Sequence, residues 1–180
     1  MKWCADRKQH GPAYAEFRRE LEGPADRGFG FAFARYKNLA AYCAIASEVE
    51  VNRETGRPRL VRATAAVDSG QVVNPDGLIN QIEGAILQSM SWTLYEAVTF
   101  DDTKITSIDW QTYPILRFDA VPEKIEVHII NRPGLPFLGS GETGQGPAAA
   151  SIANAIANAT GKRLRDLPLT RKRIKDAIDA

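Results

Sequence analysis

The sequence predicts an α+β domain, a mixed or antiparallel sheet packed with two main helices. Two observations carry that expectation. Four short stretches, Gly28–Ala34, Ala41–Val51, Leu60–Val67 and Lys124–Ile130, carry the two-residue alternation of strands. Two longer stretches, one with apolar residues every three or four positions and one rich in alanine, read as helices.

Residues 1–27 are mixed and polar, with a short helix expected at Ala13–Leu21 between Gly-Pro punctuation at both ends. They read as a lead-in to residues 28–180. In GFGFAFARY, Phe29, Phe31 and Phe33 alternate with Gly30, Ala32 and Ala34, which is a strand period. AYCAIASEVEV and LVRATAAV flank NRETGRP, so 41–67 reads as a hairpin turning at Thr55-Gly56. VNPDG then opens a helix. Asn74 is suited to cap free amides, and Pro75 to the first helical position, where a missing N–H costs nothing. Ile79, Ile82, Ile86, Leu87, Met90 and Leu94 give that helix one apolar face, and it is expected to end near Tyr95–Ala97. A strand is expected at Val98–Phe100 and another in KIEVHII. The last long helix is expected over Pro147–Ala159, with Gly161 as its stop.

Bulk composition narrows the function classes. The chain has 180 residues, 44% of them hydrophobic and 25% charged, and a net charge of +1. This is ordinary for a globular protein and gives no basis for binding nucleic acid or an anionic membrane. No apolar run approaches the roughly 20 residues that a membrane-spanning helix needs. The first residues, MKWCADRKQH, lack the apolar stretch of a secretory signal. The compartment stays open. Cys4 and Cys43 form no CxxC pair, which argues against a zinc site or a disulfide framework.

The stretch GSGETGQGP is where chemistry is expected. Gly139, Gly141, Gly144 and Gly146 allow positive φ and leave room for a ligand, and the amides that open the next helix suit an anion. It is not a P-loop, since no Gly-Lys-Ser/Thr follows. Glu142 would repel a phosphate. If the loop faces a site, this carboxylate is better cast as a general base. A plain connector bearing a solvated acid is the competing reading. On the first helix, Gln81 and Gln88 stand seven residues apart, near one face. Gly84 between them costs about 1 kcal/mol relative to alanine, which suggests close approach, most simply by another helix.

Three segments together, VDSGQVVNPDGLINQIEGAILQSMSWTLYE, YPILRFDAVPEKIEVHII and GSGETGQGPAAASIANAIANATGKRLRDLPLT, resemble the C-terminal part of the xanthine dehydrogenase/aldehyde oxidase family. The likeness is to its large molybdenum-cofactor-binding subunit, and it runs from about Gly28 to Thr170. Among its branches the chain looks closest to bacterial hydroxylases such as isoquinoline 1-oxidoreductase and nicotinate dehydrogenase. The resemblance implies that 28–180 is the C-terminal portion of a molybdopterin-binding domain. It implies an oxidoreductase that hydroxylates an N-heteroaromatic or aldehyde substrate with oxygen from water. Glu142 matches the family's active-site glutamate, the base toward the molybdenum-bound hydroxyl. Gln81 matches a glutamine that hydrogen-bonds the pterin, and Gly139, Ser140 and Gly141 would set backbone beside the metal centre. The implied cofactor is molybdopterin in its cytosine dinucleotide form. The implied partners are the rest of the large subunit and a small iron–sulfur subunit. The family subunit is several times longer, so this piece alone is expected to be inactive.

Two other readings stay open, a nucleotide- or anion-binding module on the 139–147 loop and a non-catalytic assembly domain. RGFG at Arg27–Gly30 echoes an upstream arginine loop of the family, but it lies too close to Glu142 in sequence, and Arg27 is given no catalytic role. His10 and His128 lack metal-ligand spacing. The basic tail reads as a solvated helix face, and the Asn158-Ala159-Thr160 sequon as chance. Trp92, Trp110 and Tyr113 are better placed in the core than in a pocket for an aromatic substrate.

Overall fold

The structure, a computed structural model, describes residues 27–180. The expected helix at Ala13–Leu21, His10 and Cys4 lie outside the described residues. Four strands, β1 (Arg27–Arg35), β2 (Tyr42–Val51), β3 (Pro58–Asp68) and β4 (Lys124–Ile129), form one sheet in the order β1-β2-β3-β4. Pairing is antiparallel from β1 to β3 and parallel between β3 and β4. Helix α1 (Pro75–Leu94) links the two parallel strands, α2 (Gln145–Thr160) follows β4, and α3 (Arg171–Asp179) ends the chain. The α+β architecture is the one the periodicities predicted.

The expected hairpin forms, with Gly56 in the left-handed region at φ +70. Asn74 caps α1, its Oδ1 accepting from the Gly77 amide at 3.0 Å. Gly161 stops α2 at φ +73, and its amide donates to Ala157 O at 2.9 Å. The expected strand at Val98–Phe100 is corrected. Its one pairing is an isolated bridge from Phe100 to Ile105, and both Val98 and Phe100 are exposed. With no sheet edge beside it among the described residues, strand propensity alone builds nothing.

Which face of β1 meets the helices is decided by size. Gly28 and Gly30 turn toward α2, while Phe31 and Phe33 lie on the opposite face and are about half exposed. A Cβ on Gly30 would stand 2.0 Å from Ser151 O, and one on Gly28 would stand 2.1 Å from Ala155 O. The alanine-rich helix therefore lies with its backbone almost on the strand. It also closes the sheet edge. The Phe29 amide donates to Asn158 Oδ1 at 2.9 Å, and Asn154 Nδ2 donates to Phe31 O at 3.0 Å. These bonds satisfy groups that an open edge would present to other chains. Asn158, the first residue of the apparent sequon, is thus committed to the fold.

The core between sheet and helices joins Ile45, Val49 and Leu60 to Ile82, Ile86, Met90, Ile152 and Ile156, with Leu169 and Ile174 closing one end. A register shift between Glu48 and Val49 leaves Val61 without a partner, so Leu60 and Ala63 both keep to the helix face. On the other face, Glu48 is buried and bonded by Arg27 Nη1 and Arg62 Nε, each at 2.8 Å. Burial wins over the attraction of Arg27, and the Glu48 carboxyl is held above its ordinary value. Arg27, at the start of β1, also pairs with Glu50 at 2.7 Å.

Candidate active site

Four elements meet at the loop that carries Glu142: the end of β3, the turn between β1 and β2, α1 and α2. Just past β3, Ser69 O accepts from the Leu138 amide at 2.9 Å. Just before β2, the Ala41 amide donates to Gly139 O at 3.2 Å. Helix α1 adds one bond to the loop, Gln81 Nε2 to Gly141 O at 2.5 Å, and two to Gln145, the first residue of α2: Ser89 Oγ to Gln145 O at 3.1 Å, and Gln145 Nε2 to Gln88 Oε1 at 2.7 Å. Helix α2 begins immediately afterwards, with Pro147 in its first turn, where no N–H is needed. The turn between β1 and β2, which also carries Ala41, adds a side-chain contact, Tyr36 Oη donating to Glu142 Oε2 at 2.5 Å.

The loop glycines meet one expectation, room for a ligand, and not the other, positive φ. Positive φ occurs at Gly56, Gly70, Gly134 and Gly161, and at none of Gly139, Gly141, Gly144 or Gly146. Their small size is what counts. A Cβ on Gly144 would press Ala85 Cβ at 3.1 Å, whereas Gly139 and Gly141 look into open space. At Gly84 a Cβ would meet nothing within 4 Å, so no helix of the described residues packs on it, contrary to the expected helix contact. Gln81, Gly84 and Gln88 together form an exposed ridge along α1, beside the loop.

The structure brings Gln81, Gly139, Ser140, Gly141 and Glu142 to one place. Glu142 is exposed, and no cation pairs with it among the described residues. Among the described residues, no backbone amide from Gly139 to Glu142 has a protein acceptor. Thr143 Oγ1, directly behind Glu142, is buried without a partner. Acceptor-free amides and two glycines open to the outside make a cradle for a polar group brought by another molecule. A cofactor rich in oxygen and nitrogen acceptors fits those donors.

Tyr36 was not foreseen. Its neighbours Lys37 and Asn38 carry left-handed φ of 50 and 58, and asparagine's tolerance of that region is the only local hint. A separate cavity of about 580 Å³ lies beneath residues 130–138, lined by Phe33, Tyr42, Ala44, Ile130, Leu135 and Leu138. Trp92, Trp110 and Tyr113 are not among its walls. Trp110 is also absent from the core, being 69% exposed. His128 is exposed on β4, its Nε2 3.5 Å from Glu126 Oε1. The described residues hold no helix long and apolar enough to cross a membrane and no cluster of metal-ligating side chains.

Comparison with known proteins agrees with this picture. Residues 8–122 match the molybdopterin cofactor-binding domain family, and the chain belongs to it. It is 40% identical over 184 aligned residues to one component of nicotinate dehydrogenase from Pseudomonas putida, covering 99% of this chain and 15% of that protein. It is 34% identical over 152 residues to the beta component of isoquinoline 1-oxidoreductase from Brevundimonas diminuta, covering 84% and 19%. The fold matches the crystal structure of quinoline 2-oxidoreductase from Pseudomonas putida at a TM-score of 0.72 and 28% identity, over 77% of this chain and 19% of that one. The chain therefore spans less than a fifth of the length of these relatives. The family expected from the sequence is the family found, and the likeness reaches into residues 1–27 as well.

Proposed function

We propose that this chain contributes the base-bearing part of the active site of a molybdenum hydroxylase. The observation that carries the reading is Glu142: an exposed carboxylate, unpaired by any described cation, on a loop held by hydrogen bonds from the end of β3, the β1–β2 turn and α1. Gln81, Gly139, Ser140 and Gly141 would hold the cofactor, through the Gln81 amide and the acceptor-free backbone amides of the loop. When bound, molybdopterin with its metal supplies an acidified water-derived oxygen and a sink for two electrons. Glu142 takes up the proton that such chemistry releases. A carboxylate suffices because the proton is already acidified.

By likeness to the relatives named above, the substrate is an N-heteroaromatic ring or an aldehyde. The remainder of the large subunit would complete the cofactor site and much of the substrate pocket. A small iron–sulfur subunit would carry the electrons away, and the cofactor would be the cytosine dinucleotide form. On this reading the isolated chain is inactive. Metal analysis tests it. The chain alone should hold little or no molybdenum, and the full-length subunit should hold about one per chain. Gln81→Ala in that subunit should lower the loading. Stoichiometric molybdenum on the chain alone, or none on the complete subunit, would overturn the reading.

A further inference from the structure

The geometry points to Tyr36 as the positioning residue for Glu142, a role that rests on Glu142 being the base. The Tyr36 hydroxyl donates to Oε2 at 2.5 Å across 106 positions of sequence. A hydroxyl donating to a carboxylate makes a charge-assisted bond, roughly twice as strong as a neutral one. Among the described residues the other oxygen, Oε1, accepts no hydrogen bond. One oxygen is held and one is free to take a proton.

The turn that carries Tyr36 is built for this contact. Lys37 and Asn38 both sit in left-handed backbone, at φ 50 and 58, although neither is glycine. Such conformations persist only where surrounding structure enforces them, and they gather at functional sites. Here the enforcing contacts are visible. The Tyr36 amide donates to Ala41 O at 2.9 Å, the Ala40 amide donates to Tyr36 O at 2.9 Å, and the Ala41 amide donates to Gly139 O at 3.2 Å. The same turn thus grips the catalytic loop twice, through backbone at Gly139 and through the phenol at Glu142. A glutamate in a glycine-rich bend would otherwise wander over several rotamers. Fixing it supplies the orientation that proton transfer requires. A phenol serving only the packing of its turn would not need its oxygen.

The test uses the full-length, cofactor-loaded subunit in its complex, with nicotinate and isoquinoline as probe substrates. Tyr36→Phe should lower kcat about tenfold, in line with the loss of a hydrogen bond to a charged group, while KM stays within about twofold. In a Glu142→Gln background the same change should cost little more, since the two residues act as one unit. The infrared carboxylate band that disappears in Glu142→Gln should shift in Tyr36→Phe, a readout independent of turnover. Molybdenum content should be unchanged. Full kcat with an unshifted band in Tyr36→Phe overturns the role of Tyr36 while leaving the base intact. Additive losses in the double variant, or loss of molybdenum from Tyr36→Phe, also overturn it. Near-normal turnover by Glu142→Gln overturns the base reading instead, and the band shift then reports the contact alone.

Discussion

A Cβ added to Gly30 would stand 2.0 Å from the carbonyl oxygen of Ser151, so strand and helix meet backbone to backbone. This contact seats α2, and α2 in turn fixes where the Glu142 loop can lie. Neither partner can yield cheaply, because both are backbone. Gly30→Ala should therefore destabilise the fold by about 3 kcal/mol, at the upper end for overpacking. Urea unfolding measures it, and an unchanged midpoint would contradict the packing described.

Gly84 gives the opposite sign. It lies inside α1 with empty space where a Cβ would go. Gly84→Ala should stabilise this chain by roughly 0.5–1 kcal/mol, since alanine is the better helix former. A loss of stability would mean that something does pack on the Gln81–Gln88 ridge.

Cys43 should be chemically silent. Its side chain is fully buried, and desolvation pushes its thiol up to about 12. Thiolate is the reactive form, so at neutral pH almost none is present. In a Cys4→Ser background, iodoacetamide should label the chain only as fast as it opens, and the rate should rise with urea. Rapid labelling of the folded chain would contradict the burial.

Glu48 should leave a signature in the pH dependence of stability. Its folded value is raised, chiefly by burial, so the folded state binds this proton more tightly than the unfolded chain does. The contribution is complete below the ordinary carboxylate range and is lost as pH rises through the raised value. Urea unfolding at a series of pH values should show stability falling across that window. Glu48→Gln should remove this part of the slope, and an unaltered slope would contradict the assignment.

Much of this was legible in the sequence, for identifiable reasons. Asn74-Pro75 and Gly161 mark helix ends by local chemistry, and the 41–67 hairpin declares itself by alternation around Thr55-Gly56. The family resemblance brought Gln81 and Glu142 forward as one site, and the fold does join them, through Gly141 O. What failed was what depends on distant partners. Periodicity finds β1 but not which face is inward, and here close packing by α2 reserved the glycine face. Val98–Phe100 has strand composition, but it pairs only locally, with residues 105–107, and joins no sheet among the described residues. Of the two roles read for the loop glycines, the open space appears at Gly139 and Gly141, and the positive φ does not. Tyr36 could not be found at all, because its meaning lies in a carboxylate 106 residues away.

Glu142 as the base of a molybdenum hydroxylase is a proposal open to direct kinetic test. Rapid mixing of the cofactor-loaded full-length enzyme with excess substrate, wild type against Glu142→Gln, reads it most directly. The rate of metal-centre reduction should fall about 10²–10⁴-fold in the variant, the usual contribution of a general base. Molybdenum content should be the same in both. A variant that is fully loaded and reduced at close to the wild-type rate would contradict the account.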